Sequence, residues 1–92
     1  LVRSRGLGDV YKRQILNYMN ESMQITFMQL RIIRMFAQKM NKSISQAASL
    51  LYENGALNFI RQCFDSLHLE GDEGVYEDVE RFLNAKGVTF NA

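Results

Sequence analysis

Residues 21–40 read ESMQITFMQLRIIRMFAQKM, and the spacing within this stretch decides the fold. Ile25, Met28, Ile32, Phe36 and Met40 recur at steps of three and four, which stacks them along one face of an α-helix. A second row, Met23, Phe27, Leu30, Ile33 and Ala37, runs beside the first. A helix that is apolar over so much of its circumference is a central one, covered on more than one side. Arg31, Arg34, Gln38 and Lys42 form its polar strip, and Asn41-Lys42 ends it.

Downstream, Ser43-Ile44-Ser45-Gln46 has the capping-box form, in which a serine hydroxyl accepts from a backbone N–H and the glutamine reaches back. A second helix starts there. It carries Ala47, Leu50 and Leu51 inward and stops at Asn54-Gly55, because glycine takes the left-handed conformation at a helix end. Leu57, Ile60, Phe64 and Leu67 repeat at helical spacing in a third helix, Ala56 to His68. After the turn Leu69-Glu70-Gly71, Asp72 and Glu73 place negative charge at the positive end of a fourth helix. Its inner face is Val75, Val79, Phe82 and Leu83, Gly87 ends it, and Val88 to Ala92 form an extended tail. Short connections between short amphipathic helices predict an all-α bundle of four helices in one domain, residues 19–88.

Upstream, residues 1–14 read LVRSRGLGDVYKRQ and have neither helical nor strand periodicity. Arg3, Arg5, Lys12 and Arg13 stand against Asp9, so this stretch is +3 while the other 78 residues are −2. The basic character of the chain, net +1, therefore lies wholly in these 14 residues. DVYKRQ back-translates as GAT GTG TAT AAG AGA CAG, which resembles the transposon mosaic end of short-read library preparation. Residues 1–14 are thus expected to be an adapter-derived scar outside the folded domain, with Met19 or Met23 as the natural start. The rival expectation is a basic arm for nucleic acid.

Ninety-two residues suffice for one domain, and 47% hydrophobic with 23% charged residues is the composition of a globular chain. No apolar run nears the roughly 18 residues needed to cross a bilayer, and no leader pattern is present. A cytoplasmic protein is expected, without membrane association. Cys63 is the single cysteine and cannot staple the fold; beside Phe64, it reads as a small core hydrophobe.

With the helices placed, a resemblance can be stated. Ile25-Thr26-Phe27, the Ser43 helix start, LLYENGALNFI at residues 50–60, FDSLH at 64–68, Gly71 and EDVERFL at 77–83 occur in the order and at the spacing of a known family. In this respect the chain resembles the bacterial domain-of-unknown-function family numbered thirty-seven ninety-one, over roughly Glu21 to Gly87. The family motif of aromatic-Asp-x-Leu-His, Gly and Asp-aliphatic-x-x-Phe falls on Phe64, Asp65, Leu67, His68, Gly71, Asp78 and Phe82. The family has no established biochemical activity to carry over, and neither enzymatic activity nor a cofactor is expected. The resemblance implies a short bacterial protein encoded near other small genes, some resembling ADP-ribosyltransferases, and hence an accessory or antitoxin-like partner. The Met-rich first helix departs from the family, whose members are more acidic there.

Three chemistries can be weighed from the residues themselves. Asp65 and His68 lie three apart on one helix, where a carboxylate can orient an imidazole for acid/base work. A small enzyme would also need a nucleophile or polarising group and a pocket, and none is found at recognisable spacing. The structural reading has His68 bonding the last helix carbonyls while Asp65 fixes its tautomer. Second, Glu70, Asp72, Glu73, Glu77, Asp78 and Glu80 crowd one segment, but their spacing is not that of a calcium loop. Glu73, Glu77 and Glu80 read as a solvated face opposite Val75, Val79 and Phe82, and no metal is assigned. Third, the second and third helices suggest a helix-turn-helix, yet Gly55 follows Ala48 by seven positions where about four are needed. Only Arg61 and Gln62 would face DNA from a region of net charge −2, so nucleic acid is disfavoured.

The size argument favours association. From Ile15 onward 38 of 78 residues are hydrophobic, more than four short helices can hide. All five methionines lie in or before the first helix, and Met side chains suit both cores and adaptable contact surfaces. A non-catalytic protein–protein interaction module is therefore expected, acting with a neighbouring gene product or as a homo-oligomer. Its expected contact surface is Met23, Phe27, Leu30, Arg31, Arg34 and Met35 on the first helix, with Glu73, Glu77 and Glu80 on the fourth. A DNA-binding transcriptional regulator is the alternative reading, and a small enzyme using Asp65 and His68 the weaker one.

Overall fold

The computed structural model describes residues 20–89. Residues 1–14, Met19 and the end of the tail lie outside them. Asn20 opens the first helix, α1 (Glu21–Met40): its side-chain oxygen accepts from the Met23 N–H at 2.9 Å, satisfying one of the donors a helix start leaves free. The helix buries Ile25, Met28, Ile32, Ile33, Phe36, Ala37 and Met40, so both apolar rows contribute to the core. It ends where Asn41 turns left-handed, at φ 53°. The Asn41 N–H donates to Gln38 and the Lys42 N–H to Ala37, the pair of bonds that closes a Schellman motif.

Helix α2 (Ile44–Glu53) follows with the capping box complete: the Gln46 N–H donates to Ser43 Oγ and the Ser43 N–H to Gln46 Oε1, both at 3.0 Å. It contributes Ala47 and Leu51 to the core and leads through Gly55, at φ 79°, into α3 (Ala56–Gln62). An added Cβ at Gly55 would stand 3.2 Å from the Lys86 ammonium, so both conformation and space favour glycine there.

The expected third helix, Ala56 to His68, is divided in two. Cys63 leaves helical geometry at φ −103°, ψ 12°, and a four-residue turn, α4 (Phe64–Leu67), restarts after it. The Cys63 carbonyl then accepts from both Ser66 and Leu67, at 3.0 and 2.9 Å. Ile60, Phe64 and Leu67 are all buried on either side of the break, so the apolar spacing runs through it unchanged. Cys63 itself is half-buried against the core.

Helix α5 (Asp72–Ala85) begins after Gly71 without a side-chain cap; Asp72 and Glu73 supply charge to its first turn instead. Its buried face is Val75, Tyr76, Val79 and Leu83. Phe82, expected inside, sits at the edge, where its ring stacks on Phe59 at 4.5 Å. Tyr76 takes the inner position because its ring meets Phe36 at 4.4 Å, which rotates the buried face by about one residue. The helix closes on Gly87, and Val88 packs on the core while donating to Leu83 at 3.0 Å in a second Schellman motif. Val88 is therefore a helix cap and not the start of an extended tail.

Among the described residues, α1 to α5 share one apolar core, α1 touching α2, α3 and α5, and no strand occurs. The described residues form an all-α bundle, with five helices among them where four were expected.

Candidate interaction surface

On α1, Met23, Phe27 and Leu30 follow one another at four and three residues on the side opposite Ile25, Met28 and Ile32. They remain 44%, 43% and 48% exposed, whereas the other large apolar side chains of α1 are buried or half-buried. Side chains on the two flanks hold this helix in place. Gln29 donates its amide to the Leu57 carbonyl of α3 at 2.8 Å, and the Arg31 guanidinium meets Asp72 at the start of α5 at 3.2 Å. Between the flanks the apolar row lies open, and Met23 and Phe27 share a shallow recess with Ser22 and Thr26. Arg34 is exposed on the next turn of the same row, and no carboxylate of the described residues pairs with it. Met35 was expected on this surface. It is half-buried against the core, because its position on the helix turns it away from the Met23 row.

The other expected contact residues, Glu73, Glu77 and Glu80, form a separate surface. They border a groove of about 420 Å³ with Lys39, Tyr76 and Arg81. Lys39 lies over the Tyr76 ring at 4.8 Å, and Arg81 pairs with Glu77 at 3.6 Å and Asp78 at 2.9 Å, so local cations offset much of the acidity. Burial, and then the charge of Glu80, hold the Tyr76 phenol above its ordinary 10.0.

The motif residues divide between core and caps. Phe64 and Leu67 are buried, Gly71 opens α5, and Phe82 stacks on Phe59. His68 Nδ1 stands 2.9 Å from the Phe64 carbonyl, and its ring stacks on that phenyl at 5.2 Å. A bond to a carbonyl requires the proton on Nδ1, so this oxygen fixes the tautomer. Asp65 does not fix it: the ring points back toward the preceding turn, as helical side chains do, and the Asp65 carboxylate is exposed elsewhere. The expected Asp65–His68 hydrogen bond is absent among the described residues. Asp65 instead borders an open groove with Glu21, Arg61 and Gln62.

Two contacts were missed from sequence. The Lys86 ammonium donates to the Asn54 carbonyl at 3.2 Å and lies 4.7 Å over the Phe82 ring, tying the end of α5 to the turn between α2 and α3. Nothing local marks it, because the partners are 32 residues apart. The second is Glu70, whose side chain folds over Gly74, where an added Cβ would come within 2.8 Å of its carboxyl oxygen. A hydrogen bond with Asp78, and then burial and the Asp78 charge, raise the Glu70 carboxyl above its ordinary 4.5.

A family model described as protein of unknown function, DUF3791, matches residues 27–86. The chain belongs to this family. No curated protein and no solved structure matches it. The DUF3791 match begins at Phe27 and ends at Lys86, so it takes in most of the α1 row, the split helix and the Lys86 contact. Among the described residues, no helix is long and apolar enough to cross a membrane. No cluster of three or more His, Cys, Asp or Glu side chains suited to hold a metal ion occurs among them either.

Proposed function

We propose that this DUF3791 chain is a non-catalytic protein–protein interaction module of the bacterial cytoplasm, an antitoxin-like accessory to the product of a neighbouring gene. The observation that carries the reading is the open row Met23, Phe27, Leu30 on the outside of the helix that organises the core. A folded domain gains nothing from exposing three large apolar side chains in line, whereas a partner that covers them recovers their transfer free energy. The position of His68 supports the same reading: its Nδ1 is engaged by a backbone carbonyl, as a cap would be, with no carboxylate behind it. A neighbouring product resembling an ADP-ribosyltransferase is the partner class the family resemblance suggests.

The test is co-expression of the chain with the product of each adjacent gene, followed by size-exclusion chromatography with light scattering. A hetero-complex of defined mass is expected. A stable monomer that binds neither product would overturn the reading, and a homo-oligomer would move the contact to a second copy.

A further inference from the structure

Building on the interaction reading, we infer that the outer face of α1 takes an acidic amphipathic helix of a second protein. Its apolar ridge would lie on Met23, Phe27 and Leu30, and its carboxylates would reach Arg34. The geometry of the face argues for a helix. From Met23 to Arg34 the row covers three turns, about 16 Å of helix axis at roughly 1.5 Å per residue. It is a single ridge with a shallow recess beside Met23 and Phe27, a surface that a second helix packs against.

Charge selects the kind of helix. Arg31 and Arg34 share this side of α1, while the one acid of α1, Glu21, borders the groove with Arg61 on the other side. Asp72 is already engaged by Arg31, and Arg34 has no carboxylate of the described residues to meet. Two copies of the chain docked on this face about a two-fold axis would bring together cations without spare carboxylates. A helix with glutamates beyond its apolar ridge meets both requirements at once.

Magnitude points the same way. Covering the exposed halves of three such side chains contributes about 2–4 kcal/mol, while a micromolar complex needs about 8 kcal/mol. The apolar row cannot hold a partner alone, so the interface extends beyond it; the adjoining charged turn contributes about 1 kcal/mol at most and acts chiefly on selectivity. Arg34 stands where the row ends.

The experiment uses the full chain and two labelled helical peptides of about 18 residues, long enough to hold helix in water. Both carry leucines spaced to match the row; one has glutamates on the following turn and flanks, the other lysines at the same positions. Fluorescence anisotropy should give the glutamate peptide a Kd at least about tenfold below that of the lysine peptide at low salt, with the gap narrowing as salt rises. Arg34→Glu should reverse the preference, and Leu30→Glu should weaken both peptides. Both positions are exposed, and thermal melts of the two variants should match the parent. Equal binding, preference for lysine or no binding of either peptide would overturn the inference. So would a dimer, seen by light scattering, that Leu30→Glu dissolves. A co-purified neighbour complex that survives Arg34→Glu would remove the acidic helix while leaving the interaction module standing.

Discussion

Glu70 is held in a position that costs something on both sides of it. Its carboxyl bonds Asp78 only while one of the two keeps a proton, and its side chain covers Gly74, a glycine inside a helix. Because the folded state raises its pKa, the stabilising contribution is fully present below the ordinary 4.5 and is lost as pH rises through the raised value. Glu70→Gln keeps a donor for Asp78 without the charge. It should therefore raise the melting temperature at pH 7 and lose that advantage near pH 4, read by circular dichroism at the two pH values. Gly74→Ala gives a second check. An alanine within a helix is ordinarily worth about 1 kcal/mol over glycine, but here its methyl must displace Glu70. In urea titrations the gain should be smaller in the parent than in a Glu70→Ala background, the coupling being the quantity measured. Neither contact can be read from the chain, because adjacent acids look like a solvated cluster until the turn brings Glu70 over the helix. His68 was half legible: its place near a helix end could be anticipated, whereas the choice of the Phe64 carbonyl over Asp65 depends on a side-chain direction that spacing does not encode.

At the level of the helices, starts and stops were the most readable features because their chemistry is local. The Ser43–Gln46 box forms as its residues dictate, and Ser43→Ala should cost about 1 kcal/mol in a denaturant titration. Asn41 occupies the left-handed position that ends α1. A β-branched side chain is strained there, so Asn41→Val should destabilise by about 1–2 kcal/mol, more than the same change at exposed Gln38 on the helix proper. The break at Cys63 was not legible for the converse reason: Ile60, Phe64 and Leu67 keep helical spacing across it, and periodicity counts positions without seeing whether the carbonyl ladder is continuous. The rotation of α5 toward Tyr76 was hidden differently. Tyr76, Val79 and Leu83 are themselves spaced by three and four, so two overlapping faces were available, and only the Phe36 ring across the core chooses between them.

For the whole molecule, the core and the open face of α1 make opposite demands that substitutions can separate. Phe36 is fully buried in the apolar cluster of the described residues. Phe36→Ala should cost about 3–5 kcal/mol, a large part of the total stability of a domain this size, and leave the chain largely unfolded at 37 °C by circular dichroism. Leu30→Glu, by contrast, should leave the melt unchanged and appear only in association. The all-α architecture could be anticipated because α1 is apolar on two rows, but burial of one row and exposure of half the other could not. Met23, Phe27 and Leu30 have the same spacing and chemistry as residues that are hidden.

The Lys86 ammonium on the Asn54 carbonyl joins the last turn of α5 to a turn 32 positions earlier. Two loops that would otherwise fray on their own schedules should thereby open together. Amide protons around Gly55 and around Val88 should exchange with solvent at a common rate, and neutralising that one side chain should uncouple them.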